Sequence, residues 1–254
     1  MTAFKSTLIG SGCHLMLGDS MKIMPWMSSA GVKFNCVVTD PPYLLESGGN
    51  KTGAMGGKFS KANYDNSGAI VQCDITWSDF MPEISALVDQ GHLYLMCNNR
   101  HVAEAQKQCE AANFKFHNLL VWKKSTITPN RWYMKNAEFV LFMYKGKAQY
   151  INDCGSSQVI YCPTPSGVHP NEKPVALMEH FIKNSTKPGD LVFDPFMGSG
   201  TTGVACAKLG RRFIGIEIHS EYFQIACDRI SDAYAQPQMF KGLEAPGIQD
   251  GLGV

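Results

Sequence analysis

Short apolar runs alternate along the chain with segments in which apolar residues recur every three or four positions. The first pattern predicts buried strands and the second predicts amphipathic helices. Strands are predicted at residues 14–17, 34–39, 92–97, 116–122, 139–144, 191–193 and 213–216, and helices at residues 20–30, 80–88, 102–112, 175–182, 201–209 and 220–234. This alternation is typical of an α/β fold, and the two consecutive strands at 116–122 and 139–144 predict an antiparallel pair at the sheet edge.

All of these elements fall within residues 1–235, which we predict to form one domain. Residues 44–66 contain five glycines, a density that does not sustain regular structure, so a mobile glycine-rich loop is predicted there. Residues 236–254 are rich in proline and glycine and lack apolar periodicity, which predicts a flexible C-terminal tail.

Composition narrows the class of protein without identifying its chemistry. With 254 residues, 44% of them hydrophobic and 18% charged, the chain is long enough to bury one substantial core. The nine cysteines include no Cys-x-x-Cys pair and no metal-like Cys/His spacing, so we expect buried thiols in a reducing compartment and no metal site. The sequence shows neither a leader-like start nor an apolar run of about 18 residues, so a cytoplasmic protein without a membrane partner is expected.

Two short segments that follow predicted strands carry the candidate chemistry. Asp40-Pro41-Pro42-Tyr43 follows the strand at 34–39, and the segment 194–203, with the sequence DPFMGSGTTG, follows the strand at 191–193. The carboxyl ends of parallel strands meet at one edge of a sheet, where α/β folds bind their ligands. We therefore expect the two segments to lie near each other.

Within the second segment, Gly198-x-Gly200-x-x-Gly203 matches a dinucleotide-binding fingerprint, and Glu217 lies at the distance downstream that suits a ribose ligand. The pattern alone fits a nicotinamide or flavin cofactor, S-adenosylmethionine, or tight backbone packing. Only one helix and the tail follow Glu217, which is too little chain to complete a dinucleotide domain. The remaining strands of the sheet must therefore come from earlier in the sequence.

The two segments, in this order, resemble the amino-methyltransferases of DNA, specifically the circularly permuted β group in which the catalytic motif precedes the cofactor motif. Gly18-Asp19 and the segment 169–174, with the sequence HPNEKP, are further matches, and the resemblance spans residues 13–232. It implies a doubly wound, mostly parallel, seven-stranded sheet and S-adenosylmethionine as the methyl donor. Asp40 at the first motif position implies adenine N6 as the acceptor, since serine there usually accompanies cytosine.

The resemblance also implies a role for each motif residue. Asp40 and the Pro41 carbonyl would accept the N–H groups of the target amine, Pro42 would stiffen the loop, and Tyr43 would stack on a base swung out of the duplex. The implied cofactor ligands are Asp194, Phe196, Gly198, Ser199, Gly200 and Thr201 around the methionine end, Lys173 at its carboxylate, Glu217 at the ribose and Asp19 at the adenine amine. For Asp19 and Glu217 the alternative is that each caps the helix that follows it, and for Lys173 the alternative is an ordinary exposed surface lysine.

A net charge of +1 requires any positive surface for DNA to be local. Such a surface is predicted within residues 123–168, where the resemblance expects target recognition. Its predicted phosphate ligands on double-stranded DNA are Lys123, Lys124, Arg131 and Lys135. A solvated hairpin is the alternative for these residues.

Three other functions stay open at this point. They are a cytosine-N4 DNA methyltransferase, a nucleotide-dependent oxidoreductase and a DNA-binding module without catalysis. A homodimer is also compatible with the sequence.

Overall fold

The computed structural model describes residues 4–42, 75–128, 133–163 and 173–235. The predicted glycine-rich loop at 44–66 and the predicted tail at 236–254 lie outside these ranges. Within them, no helix is both long enough and apolar enough to cross a lipid bilayer.

Strands and helices alternate over most of the described chain, as the apolar pattern predicts. The strands are β1 (Lys5–Ile9), β2 (Cys13–Leu17), β3 (Cys36–Thr39), β4 (Gly91–Cys97), β5 (Lys115–Thr128), β6 (Lys135–Lys145), β7 (Val159–Tyr161), β8 (Leu191–Asp194) and β9 (Arg212–Glu217). The helices are α1 (Ser20–Ser29), α2 (Trp77–Ala86), α3 (Val102–Ala111), α4 (Val175–Ser185), α5 (Thr201–Leu209) and α6 (Ser220–Ala235).

The strands form a single sheet in the order β1-β2-β9-β8-β3-β4-β6-β5-β7. The five central strands pair in parallel, in the order β2-β9-β8-β3-β4. On either side of them, β1 pairs with β2 and β6 pairs with β4 in antiparallel orientation. The α/β class and the antiparallel pair are therefore confirmed. Among the described residues the sheet has nine strands where seven were predicted, because β1 and β7 add one strand at each edge.

Helices cover both faces of the sheet, which explains why its central strands are largely buried and mostly apolar. Every residue of β3 and of β4 is buried. One core cluster contains Phe181 of α4 and Ile230 of α6, and the other contains Ile23 of α1 and Ile84 of α2. The two layers cover the central strands and leave the outer strands β1 and β7 largely exposed.

Two details of the sequence-based prediction differ from the structure. The helix predicted at 80–88 spans Trp77–Ala86, and Gly91 begins β4, where a Cβ atom would collide with the Asn35 carbonyl oxygen. The β5–β6 pair is not the sheet edge, since β7 pairs with β5 on the outer side. The described part of residues 123–168 includes all of β6, which pairs directly with β4, and the role of this segment in target recognition stays a prediction.

The chain leaves the middle of the sheet in two directions. From β8 it proceeds through α5 to β9 on one side, and from β3 it proceeds through α2 to β4 on the other side. The junction between β3 and β8 is therefore a topological switch point, which opens a crevice beyond the carboxyl ends of these strands.

Candidate active site

The two predicted motif loops meet at this switch point. The Thr39 hydroxyl, at the end of β3, donates a 2.8 Å hydrogen bond to Oδ1 of Asp194, at the end of β8. Asp40 follows Thr39 directly, so the structure brings the Asp-Pro-Pro motif beside the glycine loop. Tyr43, the last residue of that motif, lies outside the described ranges.

Asp194 organises the loop that follows β8. Its side chain is nearly inaccessible, with 4% of the residue exposed. Besides the bond from Thr39, it accepts hydrogen bonds from the Phe196 backbone N–H at 3.1 Å and from the Thr202 hydroxyl at 2.8 Å. Burial raises the pKa of Asp194 to about 6. The three hydrogen-bond donors lower this pKa and partly offset burial, whereas the neighbouring Asp40 carboxylate raises it.

Asp40 presents two chemically different oxygens. Oδ2 lies 2.5 Å from the Lys173 ammonium group. Oδ1 is buried and accepts no hydrogen bond from any residue in the described ranges. A buried carboxylate oxygen without a partner is costly, so this atom is suited to receive an N–H group from a ligand. Lys173, expected at the cofactor carboxylate, pairs with Asp40.

The glycine loop combines an open backbone with tight helix packing. Gly198 adopts φ +52°, and a Cβ there would meet no described atom within 4 Å, so a ligand can approach this backbone closely. Gly203, inside α5, has the opposite environment: a Cβ would collide with Ile230 of α6 and lie 2.8 Å from Phe213. The fingerprint therefore serves ligand access at its first glycine and packing at its last.

Glu217, at the end of β9, joins the glycine loop to the start of α6. Its Oε2 accepts a 3.0 Å hydrogen bond from the Gly198 N–H, and its Oε1 accepts a 2.8 Å bond from the His219 N–H. The helix-capping alternative thus has geometric support, but the same carboxylate also lines the open backbone of Gly198.

Asp19 lies at the neighbouring strand end, because the Gly18 N–H donates to the Glu217 carbonyl at 2.9 Å. Its Oδ1 caps α1 by accepting a 2.9 Å hydrogen bond from the Met21 N–H. Asp19 is therefore the fourth carboxylate, after Asp40, Asp194 and Glu217, at the carboxyl ends of the parallel strands.

Two site residues were missed by sequence reasoning. Arg229 of α6 donates from Nη1 to the Ser199 carbonyl and hydroxyl oxygens, both at 2.7 Å, and lies 3.4 Å from the Thr201 hydroxyl. Ser20 donates to the Pro195 carbonyl at 2.5 Å. Neither carries a sequence signal, because an arginine or serine on an amphipathic helix is indistinguishable from a surface residue.

Aromatic and apolar groups border the crevice. Phe196 packs edge-on against Phe80 of α2, with 5.2 Å between ring centroids. Pro42 lines a cleft of about 330 Å³ together with Trp77 and His101 at the start of α2 and α3. This cleft adjoins the Asp-Pro-Pro motif and has room for a planar group.

The predicted basic surface divides into two groups. Lys135 and Tyr133 are exposed near the start of β6, and Lys123 stacks over the exposed Tyr161 ring at 4.5 Å from its centroid. Lys124 instead forms an ion pair with Glu138. Arg131 lies outside the described residues.

Comparison with known proteins identifies the family. A model of the family described as DNA methylase matches residues 34–162 and 154–228. The chain belongs to this DNA methylase family. The methylase is similar to the type II methyltransferase M2.DpnII of Streptococcus pneumoniae, with 29% identity over 241 residues, 85% of this chain and 88% of that protein. M2.MboI of Moraxella bovis is 27% identical over 214 residues, 75% of this chain and 78% of that protein.

Solved structures agree with this assignment. The crystal structure of the M1.HpyAVI–SAM complex matches the methylase with a TM-score of 0.67 and 28% identity, covering 85% of this chain and 99% of that chain. The cytosine-N4-specific PvuII DNA methyltransferase matches with a TM-score of 0.62, 89% coverage of this chain and 93% of that chain, but 16% identity, so it supports the fold alone.

The crevice of the methylase fits S-adenosylmethionine, which is its cofactor. The cofactor carries a sulfonium and an ammonium cation, and four carboxylates line this sheet edge. The backbone at Gly198 is open to a ligand that approaches closely.

Proposed function

We propose that this methylase transfers the methyl group of S-adenosylmethionine to the exocyclic N6 amine of adenine in double-stranded DNA. We further propose that it belongs to the circularly permuted β group, since its acceptor motif precedes its cofactor motif. The observation that carries the proposal is Oδ1 of Asp40, a buried acceptor without a partner in the described ranges, beside the glycine loop at the switch point.

The chemistry requires orientation more than activation. S-adenosylmethionine supplies an electrophilic methyl group, so the protein must align the acceptor amine for in-line attack. The lone pair of an adenine amine is delocalised into the ring. Asp40 Oδ1 and the Pro41 carbonyl can each accept one N–H, which directs the lone pair toward the methyl group. Tyr43 and the cleft beside Pro42 would hold the base after it leaves the duplex.

Cofactor contacts follow the order of strand ends along the crevice. We propose that Glu217 binds the ribose hydroxyls and Asp19 the adenine amine, with Phe196 at the methionine end. The backbone of Gly198, Ser199 and Gly200 and the side chain of Thr201 would line the same end. Asp194 would act indirectly, because its oxygens already accept three hydrogen bonds that shape this loop.

For DNA binding, the half-buried Lys123 and the exposed Lys135 are the proposed phosphate ligands, together with Arg131. Lys124 is a weaker candidate because Glu138 holds its ammonium group. The homodimer stays a prediction, which sedimentation equilibrium would test.

The decisive experiment combines product identification with a variant of Asp40. DNA methylated by the protein with tritiated S-adenosylmethionine is digested to nucleosides and analysed by mass spectrometry. We expect N6-methyladenine, and Asp40→Ala should lose about 10²–10³ in rate while still binding cofactor. Asp153→Ala, in an exposed turn, serves as the matched control. N4-methylcytosine as the product would refute the adenine assignment, and turnover by Asp40→Ala within tenfold of the parent would refute the role of Asp40.

A further inference from the structure

Four charged side chains form a continuous row from the β5–β6 hairpin to the candidate catalytic carboxylate. Lys124 of β5 contacts Oε1 of Glu138 of β6. Lys173 lies between two carboxylates, with its Nζ 3.4 Å from Oε2 of Glu138 and 2.5 Å from Oδ2 of Asp40. The alternating signs give every member an oppositely charged neighbour.

This row is largely withdrawn from solvent. The side chain of Lys173 is 12% exposed and that of Glu138 is 22% exposed. Burial alone would raise the pKa of Glu138, but Lys173 and Lys124 more than offset this and hold it below its ordinary value. Buried ion pairs are poor stabilisers because desolvation cancels much of their attraction. A role in placing Asp40 accounts for a row of charges at this position better than stability does.

We propose that Lys173 and Glu138 are positioning residues of the methyl transfer, which fix the orientation of the Asp40 carboxylate. This inference rests on the proposed function. Lys173 holds Oδ2, so that Oδ1, the oxygen without a partner in the described ranges, faces the target amine. Lys173 therefore acts on the acceptor side of the reaction and does not bind the cofactor carboxylate.

The row is anchored on the paired strands β5 and β6. Glu138 lies opposite Trp122 in the antiparallel β5–β6 ladder, and the Trp122 indole N–H donates to the Cys162 carbonyl at 2.8 Å. Lys124, two residues further along β5, holds the second oxygen of Glu138. A carboxylate anchored in this way presents one fixed oxygen to Lys173. Displacement of a reacting group by about 1 Å costs on the order of 10²-fold in rate.

The test separates acceptor positioning from cofactor binding. Lys173→Met and Glu138→Gln are compared with the parent for kcat, for KM and for S-adenosylmethionine affinity by calorimetry. We expect kcat to fall about 10–100-fold in Lys173→Met and less in Glu138→Gln, with cofactor affinity within about threefold of the parent. Lys173→Arg should recover most of the rate because it retains a cationic donor. Lys183→Met, an exposed lysine of α4, is the matched control.

A double-mutant cycle with Asp40 adds a readout that a structural role would not produce. If Lys173 acts through Asp40, Lys173→Met should cause little further loss in an Asp40→Asn background. Unchanged kcat in Lys173→Met, additive losses in the cycle, or a loss of cofactor affinity of tenfold or more would each overturn the inference. Absence of methyl transfer by the parent protein would instead refute the proposed function, and calorimetry would still report whether Lys173 binds the cofactor.

Discussion

Replacement of Asp194 by Asn should make folding stability much less dependent on pH. The amide is nearly isosteric with the carboxyl group, and its oxygen can accept the bonds from Thr39 and the Phe196 N–H. Its NH₂ group can donate to the Thr202 hydroxyl, which is able to accept. The substitution therefore removes a buried charge and keeps the hydrogen-bond geometry.

The magnitude follows from the raised pKa of Asp194. Burial lifts it from 3.8 to about 6, and each pH unit corresponds to about 1.4 kcal/mol. Because the folded pKa lies above the unfolded one, the protonated form favours folding. Its contribution is fully present below about pH 4 and is lost as pH rises through about 6, which costs the parent about 3 kcal/mol at neutral pH relative to acid.

Urea unfolding at a series of pH values between about 4 and about 8 measures this effect. As pH rises across the series, the free energy of unfolding of Asp194→Asn relative to that of the parent should increase by up to about 3 kcal/mol. Thr202→Ser, which keeps the hydroxyl donor to Asp194, is the control and should follow the parent. A constant difference between parent and Asp194→Asn at every pH would show that Asp194 titrates alike in both states, and the reasoning would fail.

Three further changes test other parts of the site. Glu217→Ala should weaken S-adenosylmethionine binding by about 1.5–3 kcal/mol; unchanged affinity by calorimetry would leave Glu217 with helix capping alone. Gly203→Ala should lower the free energy of unfolding by about 1–3 kcal/mol, measured in urea, because its methyl group would collide with Ile230. Replacing Lys123 and Lys135 by Gln should reduce the slope of log K for DNA against log salt by about 2. An unaltered slope would show that neither lysine contacts a phosphate and that both are ordinary solvated residues of the hairpin.

Local patterns account for the parts of the fold that the sequence predicts well. The buried strands β3 and β4 are mostly apolar runs, and a proline follows each of β3 and β8 within two residues, at the turn where the chain leaves the sheet. Strands without such a signal were missed. In β1 only one of five residues is buried, and β7 has three residues, none of them buried. Their pairing depends on neighbours that are already in place, which a local pattern does not record.

The polar contacts of the site were harder to predict, because each joins residues that are distant in sequence. The motifs that begin at Asp40 and Asp194 can be recognised from short stretches of neighbouring residues. The pairing of Lys173 with Asp40 and Glu138, and of Arg229 with Ser199, depends on how separate elements pack. A lysine after an Asn-Glu pair suits a cofactor contact and a carboxylate contact equally well, and only the packed structure distinguishes them.

The strand order has a consequence for how the protein is made. The strands β8 and β9 occupy the centre of the sheet between β2 and β3, yet they are encoded after residue 190. During synthesis, most of the chain therefore leaves the ribosome before β8 and β9 are made. Until then, the sides of β2 and β3 that pair with these strands have no partner. Non-local pairing of this kind slows folding and exposes strand edges to aggregation. A nascent chain that ends before β8 should therefore depend on a chaperone, whereas the full chain can close its sheet.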